Sequence, residues 1–150
     1  MKIALKNHTG AGRNSGFSLM ELLIALTIVA ILTTIAFPSF MQSVRKSKRI
    51  DAQTALTNAT NNLERFFATN GTYTVDSSQL GLKMDAGSAY SENDHYVVVV
   101  AAGATGIGSS YVVTATATAD GVQAGDTGCT VLSLDSLGRR IPDPTASRCW

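Results

Sequence analysis

Between Phe17 and Phe40 the chain runs 24 residues with a single charge, Glu21. That exceeds the roughly 18–20 apolar residues that carry a helix across a bilayer. Pro38 falls near the end of this run. A proline inside a helix removes one backbone bond and crowds the preceding turn, which predicts a kink or local melting there. Beyond it the pattern becomes amphipathic. Ala52, Leu56, Ala59, Leu63 and Phe66 recur at i, i+4, i+7, i+11 and i+14, with Ala55 and Phe67 widening the stripe. The stripe stops at Asn70-Gly71, where glycine takes a left-handed helix end at no steric cost. The pattern predicts one helix from Phe17 to Thr69, about 80 Å long at its rise per residue. Its first half is expected to protrude and its second half to pack on a head.

Residues 71–94 show no clear period and read as a long loop, with a turn of helix near Ser77–Leu80. Strand patterns follow. "HYVVVVA" (His95–Ala101) is strongly β-branched. "SYVVTATATA" (Ser110–Ala119) and "CTVLSLD" (Cys129–Asp135) alternate, and "GRRIP" suggests a short edge strand ending at Pro142. The Gly-rich stretches 103–108 and 121–128 suit turns between antiparallel strands. The expected class is α+β: a long N-terminal helix whose amphipathic half packs on a small antiparallel sheet.

The chain has 150 residues and a net charge of +1. Without residues 1–16 nine basic residues face eleven acidic ones, a net of −2. A nucleic-acid surface would therefore have to be a local patch. There are two cysteines, Cys129 and Cys149. If the segment after Phe40 is exported, the two should pair, closing a loop worth about 3 kcal/mol in the entropic account. Arg45, Lys46, Lys48 and Arg49 follow the span and read as an interfacial collar of snorkelling side chains. They also leave the positive-inside count ambiguous.

Glu21 sets this segment apart from a plain membrane anchor. A carboxylate inside a span is costly and points to a partner. Cutting the chain between Gly16 and Phe17 would free an α-amine four residues before Glu21, able to pair with it in the same chain or a neighbouring copy.

The stretch "G-FSLMELLIALTIVAILTTIAFPS" resembles the N-terminus of type IV pilins and related pseudopilins. It has a short basic leader, Gly before the cut, Phe as first mature residue, Glu as fifth, an apolar stretch, and Pro about one turn before its end. More loosely, "ERFFATNGTY", the Thr/Ala-rich strand and the final Cys-Trp are similar to the minor and competence-type pilins. The resemblance implies a prepilin leader over residues 1–16, a transmembrane and fibre-core helix over 17–40, and a globular head over 41–150. It implies cleavage after Gly16 by a prepilin peptidase, N-methylation of Phe17, and assembly with other pilin subunits. Glu21 would then neutralise the N-terminal amine of an adjacent subunit, and Pro38 would shape the assembling helix. The precursor would sit in the bacterial inner membrane, single-pass with its C-terminus outside the cytoplasm, and the product in an extracellular pilus. Twitching, adhesion and DNA uptake are the roles such a fibre serves; a pseudopilin of a secretion machine is the structural variant.

No catalytic constellation is present, and neither a cofactor nor a metal is expected. His8 lies in the leader and His95 at a strand start. "GATGIG" (Gly103–Gly108) lies between two strands, the wrong context for a phosphate loop. Asp120, Asp126, Asp135 and Asp143 are scattered and read as solvated loop acids, without a calcium-loop spacing. Arg139, Arg140 and Arg148 fall inside the prospective disulfide loop, with Lys83 expected nearby. Competence-type pilins with this tail pattern present basic residues there to DNA. The bland alternative is three surface arginines without a ligand.

Overall fold

The computed structural model describes residues 17–142 and 147–150. The expected leader, with Gly16 and His8, and the acid Asp143 lie outside the described residues. The described residues fall into two compact units, one ending at Pro38 and the other spanning residues 39–150.

Helix α1 spans Leu19–Asn70 and contains both sequence patterns. In the first unit its apolar side chains are exposed, and it is the one helix among the described residues long and apolar enough to cross a membrane. The threonines of this run hide their polarity. Thr27, Thr33 and Thr34 each donate to a carbonyl one turn back, at 2.7–2.8 Å. Those bonds suit a hydrocarbon surrounding, where no water is available to satisfy a hydroxyl. The expected local melting at Pro38 does not occur: the helix is continuous through it. A proline withholds one hydrogen bond, and the neighbouring turns of α1 persist without it.

In the second unit the predicted stripe is the core face. Ala52, Ala55, Leu56, Ala59 and Leu63 are buried. They meet a six-stranded antiparallel meander in the order β1-β2-β3-β4-β5-β6, formed by Lys83–Asp85, Ser88–Tyr90, Tyr96–Ala102, Tyr111–Ala117, Val131–Asp135 and Arg140–Ile141. The register aligns Ala89, Val98, Ala115 and Leu132 across four strands, and all four are buried against the helix. On the opposite face Thr114 and Ser133 pair side by side at 2.9 Å. Side chains alternate between the two faces of a strand, so one register fixes both surfaces.

The helix ends as its sequence predicts, at Asn70, with Gly71 at φ +69°. Phe67 stacks on Tyr73, Tyr73 meets Tyr111 edge-on, and the Tyr111 hydroxyl donates to Glu64 at 2.9 Å. This cluster fastens the chain leaving the helix. A 3₁₀ turn forms at Ser77–Leu80. The remainder of 71–94 corrects the loop expectation, because β1 and β2 form a hairpin there. Its two-residue turn, Ala86-Gly87, has φ of +46° and +82°, the mirror-image conformation that suits the twist of paired strands. Alanine at the first position conceals that turn in the sequence.

Leu63 is fully buried while Ile50, on the same helix, is 61% exposed. In a fragment of residues 39–150, Leu63→Ala should lower the unfolding free energy by about 3 kcal/mol. Ile50→Ala should change it by less than about 0.5 kcal/mol. Urea denaturation measures both, and equal losses would mean that the helix face is wrongly assigned.

Candidate functional site

The candidate surface is built by the C-terminal tail where it lies along α1. Cys129 and Cys149 are bonded, with Cα atoms 5.4 Å apart, and both are buried in the core. The bond anchors the neighbours of Cys149, Arg148 and Trp150, near helix residues 43–53, with which all three line one cavity.

Arg49 organises this seam. Its Nε and Nη2 donate to the two carboxylate oxygens of Asp126 at 2.6 and 2.7 Å. Its Nη1 donates to the Arg148 carbonyl at 2.7 Å. The two side chains are 13% and 7% exposed, so this is a largely desolvated bidentate pair. The Asp126 hydrogen bond raises the Arg49 pKa above its ordinary value against the opposing pull of burial. One turn earlier, the Arg45 carbonyl accepts from Gln123 Nε2 at 3.2 Å, and the same nitrogen donates to the Tyr96 hydroxyl at 2.7 Å. The 3₁₀ turn Val122–Gly125 presses so closely on Arg45 that a Cβ at Gly125 would stand 2.5 Å from its Nη2.

These contacts correct two expectations. The Arg49 side chain and the Arg45 carbonyl fasten the helix to the loop, and the Arg45 side chain packs against Gly125 with its Nε buried, so neither arginine belongs to a snorkelling collar. Asp126 and Asp135 are buried and bonded rather than solvated. The signal for the arginines is present in the sequence: positions 45, 48 and 49 continue the 52-56-59-63 stripe in phase, whereas 46 does not.

The basic residues proposed from sequence separate into different settings. Arg139 donates from Nε to Asp135 at 2.6 Å, and its own amide donates to the same carboxylate at 2.8 Å. Arg140 lies over the Trp150 ring, 5.3 Å from its centroid, a cation–π geometry. Arg148 is exposed and, with Lys46, lines two adjoining cavities of about 390 and 330 Å³. Lys83 is not nearby: it sits on β1, the opposite sheet edge from β6, paired with Asp94 at 2.5 Å. No ion pair among the described residues engages Lys46, Arg140 or Arg148. His95 is a strand-edge residue whose carbonyl accepts from the Thr118 amide at 3.0 Å. Phe17 and Glu21 are exposed, and Glu21 lies in the first turn of α1.

A family model described as type IV minor pilin ComP, DNA uptake sequence receptor, matches residues 38–133. The chain belongs to the type IV pilin family. A second model, the prokaryotic N-terminal methylation motif, matches residues 12–37 of this pilin. It is 34% identical over 91 residues to the type IV major pilin protein PilA of Myxococcus xanthus, a match covering 61% of this chain and 40% of that protein. It is 30% identical over 116 residues to the fimbrial protein EcpC of Eikenella corrodens, covering 77% and 71%. Against the first relative, therefore, the pilin spans well under half the other protein's length.

Asp135, on β5, gives the head a measurable acid limit. Burial pushes its carboxyl upward, but hydrogen bonds from Arg139 and the Leu137 amide outweigh it, and its pKa lies below the ordinary 3.8. A depressed folded pKa means the contribution is complete above the unfolded value and is lost as pH falls through the folded one. Urea midpoints of the 39–150 head should therefore fall as pH drops below 3.8. Asp135→Asn should flatten that fall, and an unchanged acid slope in the variant would show that the carboxylate is not the titrating group.

Proposed function

We propose that this pilin is a minor subunit of a type IV pilus that takes part in DNA uptake, contacting DNA through its C-terminal seam. The match to the ComP family model across most of the head supports the reading. The arrangement of charge supports it too. Arg140 and Arg148 carry positive charge that no carboxylate among the described residues neutralises, beside Lys46 and the aromatic face of Trp150. Phosphate contacts from arginine and lysine supply most of the sequence-independent affinity for DNA. Arg139 and Lys83, paired with Asp135 and Asp94, are subordinate on this reading.

Assembly uses the other unit. The methylation motif and the apolar run support cleavage after Gly16 by a prepilin peptidase and N-methylation of Phe17. The precursor waits in the inner membrane with its head outside the cytoplasm. In the fibre, Glu21 neutralises the α-amine of a neighbouring subunit, which explains a carboxylate in an apolar run. Pro38 marks where the apolar run gives way to the head's helix. The alternative, a purely structural subunit, leaves the seam as surface decoration.

Duplex binding by the 39–150 head in a mobility-shift assay separates the two. Arg140→Ala/Arg148→Ala should weaken binding and lower the salt slope by about two. Arg139→Ala should have the smaller effect. Equal shifts for the wild-type head and the double variant would remove the seam as the DNA contact.

A further inference from the structure

Four cations share one small cavity of the head. Arg45, Lys46, Arg49 and Arg148 all line the cavity of about 330 Å³, a volume at the lower end of the range for small-ligand sites. Asp126 is the one carboxylate among the described residues that line it, and Arg49 already takes both of its oxygens, at 2.6 and 2.7 Å. No ion pair among the described residues engages the other three cations. Arg45 is the least satisfied of them. Its Nε is buried without a hydrogen-bond partner, and its carbonyl, not its side chain, is what binds Gln123. A buried donor without a partner is costly, and like charges held together add repulsion. One anion seated among the three would offset both.

We propose that this cavity is a seat for a single phosphate group, with Arg45, Lys46 and Arg148 as its ligands. The inference goes beyond the DNA reading, because a backbone phosphate of a nucleic acid and free orthophosphate share this chemistry. Two of the three ligands are arginines, whose planar forks match the oxygen pairs of a phosphate. A tetrahedral oxyanion presents oxygens in several directions and can take donors from the helix and the tail at once. A carboxylate presents only two, in one plane. The seat is also held before a ligand arrives. The Arg148 carbonyl accepts from Arg49 Nη1 at 2.7 Å, and the next residue, Cys149, is bonded to Cys129. Gly125 lines the same cavity, and a Cβ there would stand 2.5 Å from Arg45 Nη2 and 3.0 Å from its Cζ. The missing carbon is what lets the Arg45 guanidinium lie against this loop. Ligands fixed in advance spare the ordering cost of binding.

Orthophosphate is the probe, added to the mature full-length chain in non-ionic detergent, with sodium chloride at matched ionic strength as the reference. A ligand of the folded state raises the thermal midpoint by mass action, so phosphate should raise it saturably and chloride should not. Arg45→Gln and Arg148→Ala should each weaken phosphate binding about tenfold, the loss of one charge-assisted hydrogen bond. Lys83→Ala, on β1 at the far sheet edge, should leave it unchanged. Gly125→Ala keeps every charge and displaces the Arg45 guanidinium, so it should weaken binding too, and it carries the test if Arg45→Gln does not fold. A second arm adds a short DNA duplex. Competition between duplex and orthophosphate assigns the seat to a backbone phosphate, whereas independent or absent duplex binding assigns it to free phosphate. A midpoint that rises no more with phosphate than with chloride overturns the proposal, as does unchanged phosphate affinity in Arg45→Gln, Gly125→Ala and Arg148→Ala alike. Neither result decides the DNA reading, which the mobility shift of Arg140→Ala/Arg148→Ala tests separately.

Discussion

Arg49 and Asp126 meet in a bidentate pair from which water is largely excluded. Removing one partner of such a pair leaves an uncompensated charge in a poor dielectric, a loss of about 3–5 kcal/mol. The pair therefore fixes where the loop after β4 rests on α1. Through the third donor of Arg49 it also fixes where the tail rests, because the Arg148 carbonyl completes the guanidinium's set of partners. The disulfide adds a covalent tether one residue away. The charge distribution of the seam follows. Asp126 is consumed internally, so Lys46 and Arg148 face outward with no competing carboxylate from that loop.

The same helix meets two solvents with two sequence patterns. Its first part is uniformly apolar and folds its threonine hydroxyls back on its own carbonyls. Its second part carries the stripe that forms the core of the head. Both parts were legible because hydrophobic period is a direct consequence of helix geometry. The strands were legible for a similar reason, since alternation along Tyr111–Ala117 reflects one buried and one exposed face. The cysteine pair and the α+β class followed from residues readable one at a time.

What sequence reading missed depended on contacts between distant residues. The β1–β2 hairpin turns on Ala86-Gly87, where alanine takes a positive φ that its identity does not advertise. Arg45 and Arg49 read as a collar because they neighbour Lys46 and Lys48, although their phase with Ala52 and Leu56 already placed them on the core face. Lys83 was grouped with the tail arginines, yet five successive strand pairings separate β1 from β6. Arg139 and Arg140 are adjacent in sequence and differ entirely in setting, one held by a carboxylate and the other over an indole.

The central claim is that this pilin is cut after Gly16 and enters a fibre through its apolar helix, with Glu21 as the partner of a neighbouring amine. Quantitative mass spectrometry of sheared, purified filaments from native cells tests it most directly, comparing wild type with Glu21→Ala. Wild-type filaments should contain the chain in minor amount, beginning at N-methylated Phe17. The Glu21→Ala chain should be cut at the same bond yet be depleted from filaments and retained in the membrane fraction. Filaments holding a full complement of Glu21→Ala chains, or of chains that still begin at Met1, would contradict the account.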